Sequence, residues 1–176
     1  MRTAESRTIL ENSGELCHLL DKLVLLHRNL LDVLREEYAH MAAVDVKGLL
    51  ESAQTKEILV GEIWNHEQLR LRAAEKIARE LGLQGDFTLT RIASAIASAT
   101  ESEKLKSAGA ALQLLIARAK EANTKNMEFA EKSIERIEEM KRNALGMNNN
   151  TKENYSNSGV RQPITEQGGR LLSTEA

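Results

Sequence analysis

The feature that most constrains this chain is where its only proline stands. Pro163 is the single proline in 176 residues, so nothing in the first 162 removes a backbone donor or clashes with a preceding turn. Ala, Leu, Glu, Lys and Arg fill 92 of the 176 positions, a share typical of long helices. Aromatic residues are 3 %, too few for the core of a β-sandwich or barrel. The spacing therefore predicts an all-α fold. Its expected form is an elongated antiparallel bundle of three long helices and one short one, with a disordered C-terminal tail.

The apolar pattern sets the expected boundaries. Helix one is predicted over 8–41, with Thr8 and Glu11 as a capping box and Ser13 as a competing start. Leu16, Leu20, Leu23, His27, Leu30, Leu34 and Met41 recur in steps of four and three, with Glu37 interrupting. Leu19, Leu26 and Val33 widen the stripe beyond a two-stranded seam, which suits a helix with two neighbours. Helix two is predicted over 45–81, opened by Asp45 and closed by Gly82. Its stripe reads Val46, Leu49, Leu50, Ala53, Val60, Ile63, Trp64, Leu71, Ala74, Ile77, Ala78 and Leu81. Only Ala42, Ala43 and Val44 separate the first two helices, which makes them antiparallel neighbours. A short helix is expected over 88–99 behind Thr88, and a last long one over 101–145 behind a Thr100–Glu103 capping box.

The pattern stops at Gly146. Residues 146–176 are rich in Asn and Gly and too poor in apolar side chains to offset their ordering entropy. The expected organisation is thus a bundle domain over 1–145 and a flexible tail over 146–176.

Charge and composition exclude several functions. A net charge of −2 supplies no positive field for nucleic acid or anionic lipid. Cys17 is the only cysteine, so neither a disulfide framework nor a thiolate metal site is expected. The charged first seven residues have no apolar run behind them and no stretch reaches 18 apolar residues, so the expected location is cytoplasmic. Glu37-Tyr38-Ala39-His40 is one Glu-x-x-His unit where a di-iron bundle needs two. His66-Glu67-Gln68-Leu69-Arg70 has Arg where a zincin needs its second His. His27 falls on the heptad stripe, which favours a core histidine over a phospho-acceptor. No catalytic residue, metal, cofactor or small-molecule substrate is expected.

What remains is surface for partners. Asn123 and Asn126 stand one turn apart on or beside the apolar stripe of the last helix, flanked by Met127. They read either as a tolerated pair on a wet face or as a polar pair that satisfies a partner or fixes register. The candidate client face is Leu112, Leu115, Ile116, Ala119, Asn123, Asn126, Met127 and Ala130, apolar at helical spacing and able to receive an amphipathic helix.

The layout resembles the FlgN family of flagellar type III export chaperones. The matching residues are Leu20, Leu23, Leu30, Leu34 and Glu37 in the first helix, and Asp45, Leu49, Leu50, Lys56, Leu59 and Ile63 in the second. Leu81-Gly82 matches the joint, Thr88-Leu89-Thr90 the short helix, and Leu112, Leu115, Asn123 and Asn126 the last helix. Tyr155 with Gly159 resembles a tail element of the family, although this tail is longer and richer in Asn. The resemblance implies a protein without catalytic residues or cofactor that binds the C-terminal helices of the hook–filament junction proteins FlgK and FlgL. It further implies that the protein keeps them unpolymerised and delivers them to the export gate; if the tail docks there, Tyr155, its only aromatic residue, is the expected anchor. A monomer or weak homodimer fits that role. The other readings of the pattern are a homo-oligomeric coiled-coil scaffold and a His phosphotransfer bundle.

Overall fold

The computed structural model describes residues 2–85 and 87–145, with side chains from Ile9 onward. Four helices follow in order: α1 (Arg2–Ala43), α2 (Val46–Glu80), α3 (Leu89–Ala95) and α4 (Ala99–Ala144). No strand occurs among the described residues. The packing divides the chain into two compact units, Met1–Met127 and Glu128–Ala176. The predicted tail over 146–176 lies outside the described residues.

Several boundaries differ from the sequence expectation. α1 runs through Thr8, Ser13 and Gly14 from Arg2, so neither proposed start operates. α3 ends at Ala95 with Ile96 extended, four residues early. α4 is capped by Ser98, whose hydroxyl accepts from the Glu101 N–H at 3.4 Å, rather than by Thr100. Ser98-x-x-Glu101 and Thr100-x-x-Glu103 carry the same signature, and the extended backbone at Ile96 places Ser98 at the entry.

The α1–α2 turn is shorter than expected. Ala42 and Ala43 stay helical, leaving Val44 and Asp45 to reverse the chain. Val44 adopts φ 56°, with its N–H donating to Met41 O at 3.2 Å and that of Asp45 to His40 O at 2.9 Å. This is a Schellman closure with a β-branched residue at the left-handed position, where glycine is the usual choice. Gly82, at φ 67°, closes α2 in the same way, its N–H donating to Arg79 O and that of Leu83 to Ala78 O. Asp45 caps α2 by accepting from the Gly48 N–H at 3.0 Å, and its other oxygen meets His40 Nδ1 at 3.0 Å. The His40 ring lies where a Gly48 side chain would stand, so the turn closes over that glycine.

Within the first unit α1 and α2 are antiparallel. Asn12 bonds Glu80 and Lys76, while Glu37 bonds Lys56. α4 runs parallel to α1, since Cys17 stands near Glu101 and Lys104, and Leu34 and Glu37 near Asn126. The core gathers Leu16, Leu20 and Leu23, then Ala73, Ala74, Ile77 and Ala78, then Ile92, Ala93 and Ile96, then Leu105 and Leu112. The short α3 seals this end, and Gly109 on α4 is the notch that receives Leu89.

The α2 stripe read as one line divides into two. Ala74, Ile77 and Ala78 are buried and Ile63 is half-buried, while Val46, Leu50, Val60, Trp64 and Leu71 are exposed. Ala74 and Ala78 stand two heptads beyond Val60 and Trp64, so the same stripe passes from exposed to buried along the length of the helix, where α3 and the rest of the core cover it.

Replacing Val44 by glycine is expected to stabilise the fold by about 1 kcal/mol, read by chemical denaturation, because the left-handed strain disappears. The Gly48 N–H, and then His40, hold the Asp45 carboxyl below the usual carboxylate range. A folded-state pKa that is lowered contributes stability above the unfolded value and loses it as pH falls through the folded one. The stability advantage over Asp45→Asn should therefore be full at neutral pH and vanish in acid below the usual carboxylate range, followed by thermal melts across pH.

Candidate functional site

Glu37 sits where an apolar heptad residue is expected on α1, and it is buried. One carboxylate oxygen accepts from Lys56 Nζ of α2, and the other from Asn126 Nδ2 of α4 at 2.8 Å. The same amide donates to Leu34 O at 2.8 Å. Three long helices thus meet on one carboxylate. A buried carboxylate is tolerated only when it is paired and hydrogen-bonded, and here both oxygens are engaged. Asn126 is therefore a register-fixing residue rather than part of a wet face.

The predicted client face is divided by this packing. Leu112, Leu115, Ala119 and Asn126 are buried and form inner wall, not open surface. Ile116 and Met127 are 46 % and 56 % exposed, and Asn123 is half-buried with its amide 3.7 Å from Met127 Sδ. Ala130 is half-buried and belongs to the second unit. In that unit Ile134, Ile137 and Met140 are all exposed. Tyr155 lies outside the described residues.

Beside the open part of this face is a groove of about 430 Å³ between α2 and α4. Leu20 and His27 of α1, Ile63, Glu67 and Arg70 of α2, Leu89 of α3, and Gly109, Leu112, Gln113 and Ile116 of α4 line it. His27 Nδ1 bonds Leu23 O at 2.8 Å, so the heptad histidine is a satisfied core residue. Arg70 grips Glu67 with two bonds of 2.8 and 2.6 Å, and that pairing raises its already high pKa. The groove offers apolar walls and one fixed ion pair at its rim. Leu89 of α3 forms part of its wall, which sequence spacing did not reveal.

Other reactive groups are occupied. Burial, then Glu101 and Asp21, push the Cys17 thiol up, which keeps it protonated and a poor nucleophile. Among the described residues no three His, Cys, Asp or Glu side chains gather as a metal site. Glu37 bonds Lys56 and Asn126 while His40 bonds Asp45, so the Glu-x-x-His pair serves the fold. No described helix is long and apolar enough to cross a membrane.

The described residues thus form an all-α helical bundle with a buried polar tie and an open interhelical groove. Within that class, the model of the FlgN protein family matches residues 12–163, and the chain belongs to this family of flagellar export chaperones. No curated protein and no solved structure matches it.

Replacing Asn126 by Asp sets a second acceptor against Glu37 and Leu34 O. The expected cost is about 2–3 kcal/mol in urea denaturation at neutral pH. Adding Glu37→Gln restores a donor and should recover part of that loss, whereas two independent sites would only add their costs.

Proposed function

We propose that this protein binds the amphipathic C-terminal helices of the hook–filament junction proteins FlgK and FlgL in the bacterial cytoplasm, holds them apart and delivers them to the export gate. The observation that carries the reading is the groove between α2 and α4, apolar along its walls and open beside Ile116. Membership of the FlgN family supports the flagellar setting. The role is that of a binding protein rather than an enzyme.

The physical logic is that of a helix laid into a groove. Ile116 and Met127 are the exposed anchors on α4, with Asn123 between them and Ala130 the next position on the line. Leu112, Leu115, Ala119 and Asn126 support these anchors from within. A client helix that is unstructured when free loses entropy on docking, which keeps the complex releasable at the gate. Tyr155 is the proposed anchor for gate docking, being the only aromatic residue after Gly146.

Titration calorimetry with a FlgK C-terminal peptide tests the site. Ile116→Glu and Met127→Glu should each weaken binding by about 1–2 kcal/mol with the thermal midpoint retained. Leu115→Glu should instead lower the midpoint by several degrees, since that side chain is 9 % exposed. Truncation after Leu145 should leave peptide affinity unchanged and impair export of the client in a secretion assay. Full affinity in both α4 surface variants would remove the site from α4.

A further inference from the structure

The short helix meets the groove through one side chain. Leu89, Ile92 and Ala93 of α3, with Ile96 just beyond its end, form a single apolar stripe. Ile92, Ala93 and Ile96 are buried in the core, whereas Leu89 is only half-buried. A Leu89 methyl stands where a Gly109 side chain would be, so Leu89 lies directly against the α4 backbone. Resting on the reading of this groove as the client site, we propose that Leu89 is an internal stopper. It fills the Gly109 notch in the free protein, and a leucine-sized side chain of the client helix displaces it.

Three observations favour this role. Gly109, Ile116 and Asn123 recur at steps of seven on α4, so the notch continues the line on which the client is proposed to lie. A client helix seated at Ile116 and extended about 10 Å toward the start of α4 arrives at Leu89. Leu89 and Gly109 also both line the groove, so the seat that Leu89 holds is continuous with the space left open. Finally, Leu89 can leave its seat alone. It is the first residue of α3, where helices fray, and the Thr88 cap accepts from the Arg91 N–H at a long 3.3 Å. Ile92, Ala93 and Ile96 keep the rest of α3 in the core.

The contact acts on affinity by competition. The apparent dissociation constant is the intrinsic one divided by the fraction of molecules whose notch is open. A notch open in about one molecule in ten weakens client binding about tenfold. The seat also selects what displaces Leu89: a side chain of similar volume refills it, a smaller one leaves a void, and a larger one overfills it.

Titration calorimetry of the full chain with the FlgK C-terminal peptide tests the stopper. Leu89→Ala should tighten binding about tenfold, because the notch is then always open. Gly109→Ala should weaken it at least about tenfold, because the added methyl fills the notch. That variant should keep its helicity by circular dichroism: the methyl meets only the far end of the Leu89 side chain, and Ala suits a helix interior better than Gly. In the Gly109→Ala background, Leu89→Ala should bring no gain. Unchanged or weaker binding by Leu89→Ala, full affinity in Gly109→Ala, or a gain that persists in the Gly109→Ala background overturns the stopper and leaves the groove as the client site. Binding by neither the unaltered chain nor Leu89→Ala overturns both readings together.

Discussion

Everything else in the first unit depends on how three long helices are held in register, and that depends on the Glu37 carboxylate. Leucine seams alone permit neighbouring helices to slide by a heptad at small cost, since each layer resembles the next. A buried carboxylate does not. It is tolerated only where Lys56 and Asn126 both reach it, and a one-turn slip would leave a charge in apolar surroundings with no partner. The polar tie therefore selects one alignment among several apolar ones, as a single polar residue does in a coiled-coil seam. Asn12, bonded to Glu80 and Lys76, supplies a second and milder tie at the opposite end of α1 and α2.

With register fixed, α4 divides its apolar face between two tasks. Leu105, Leu112, Leu115 and Ala119 are consumed by the core, and Ile116 and Met127, on the flank of the same face, are left open. The proposed client site rests on this division. A face wholly buried offers nothing to a client, and a face wholly open would aggregate. The short α3 contributes to the same balance, because it covers the core at Ile92 and Ala93 and stops at Ala95. Beside Leu89 the interhelical groove remains unfilled.

The turns show how local strain is accommodated. Val44 bears a left-handed conformation that a β-branched residue disfavours, and the adjacent Asp45 cap and His40 contact hold it there. Gly82 makes the equivalent closure without strain. The first reversal is thus over-determined by its neighbours, while the second relies on the residue itself.

The helical class, the number and order of the helices, and the α2 caps at Asp45 and Gly82 were legible in the sequence. Local chemistry decides them: the absence of proline, the 3.6-residue period, and residues that suit only a helix end. The start of α1, the choice of Ser98 over Thr100 and the end of α3 were not, because competing caps have equal local merit. Nor did the sequence reveal that Glu37, an apparent interruption of the heptads, is the centre of the packing. Its signal was present as polar residues at core positions on three helices, but only tertiary structure brings Glu37, Lys56 and Asn126 within reach of one another. The candidate site divides in the same way. Periodicity identifies an apolar face on α4, yet cannot say which of its residues a neighbour covers. Coverage of Leu115 and exposure of Met127 follow from where α1 lies against α4, and that is a property of the assembled helices alone.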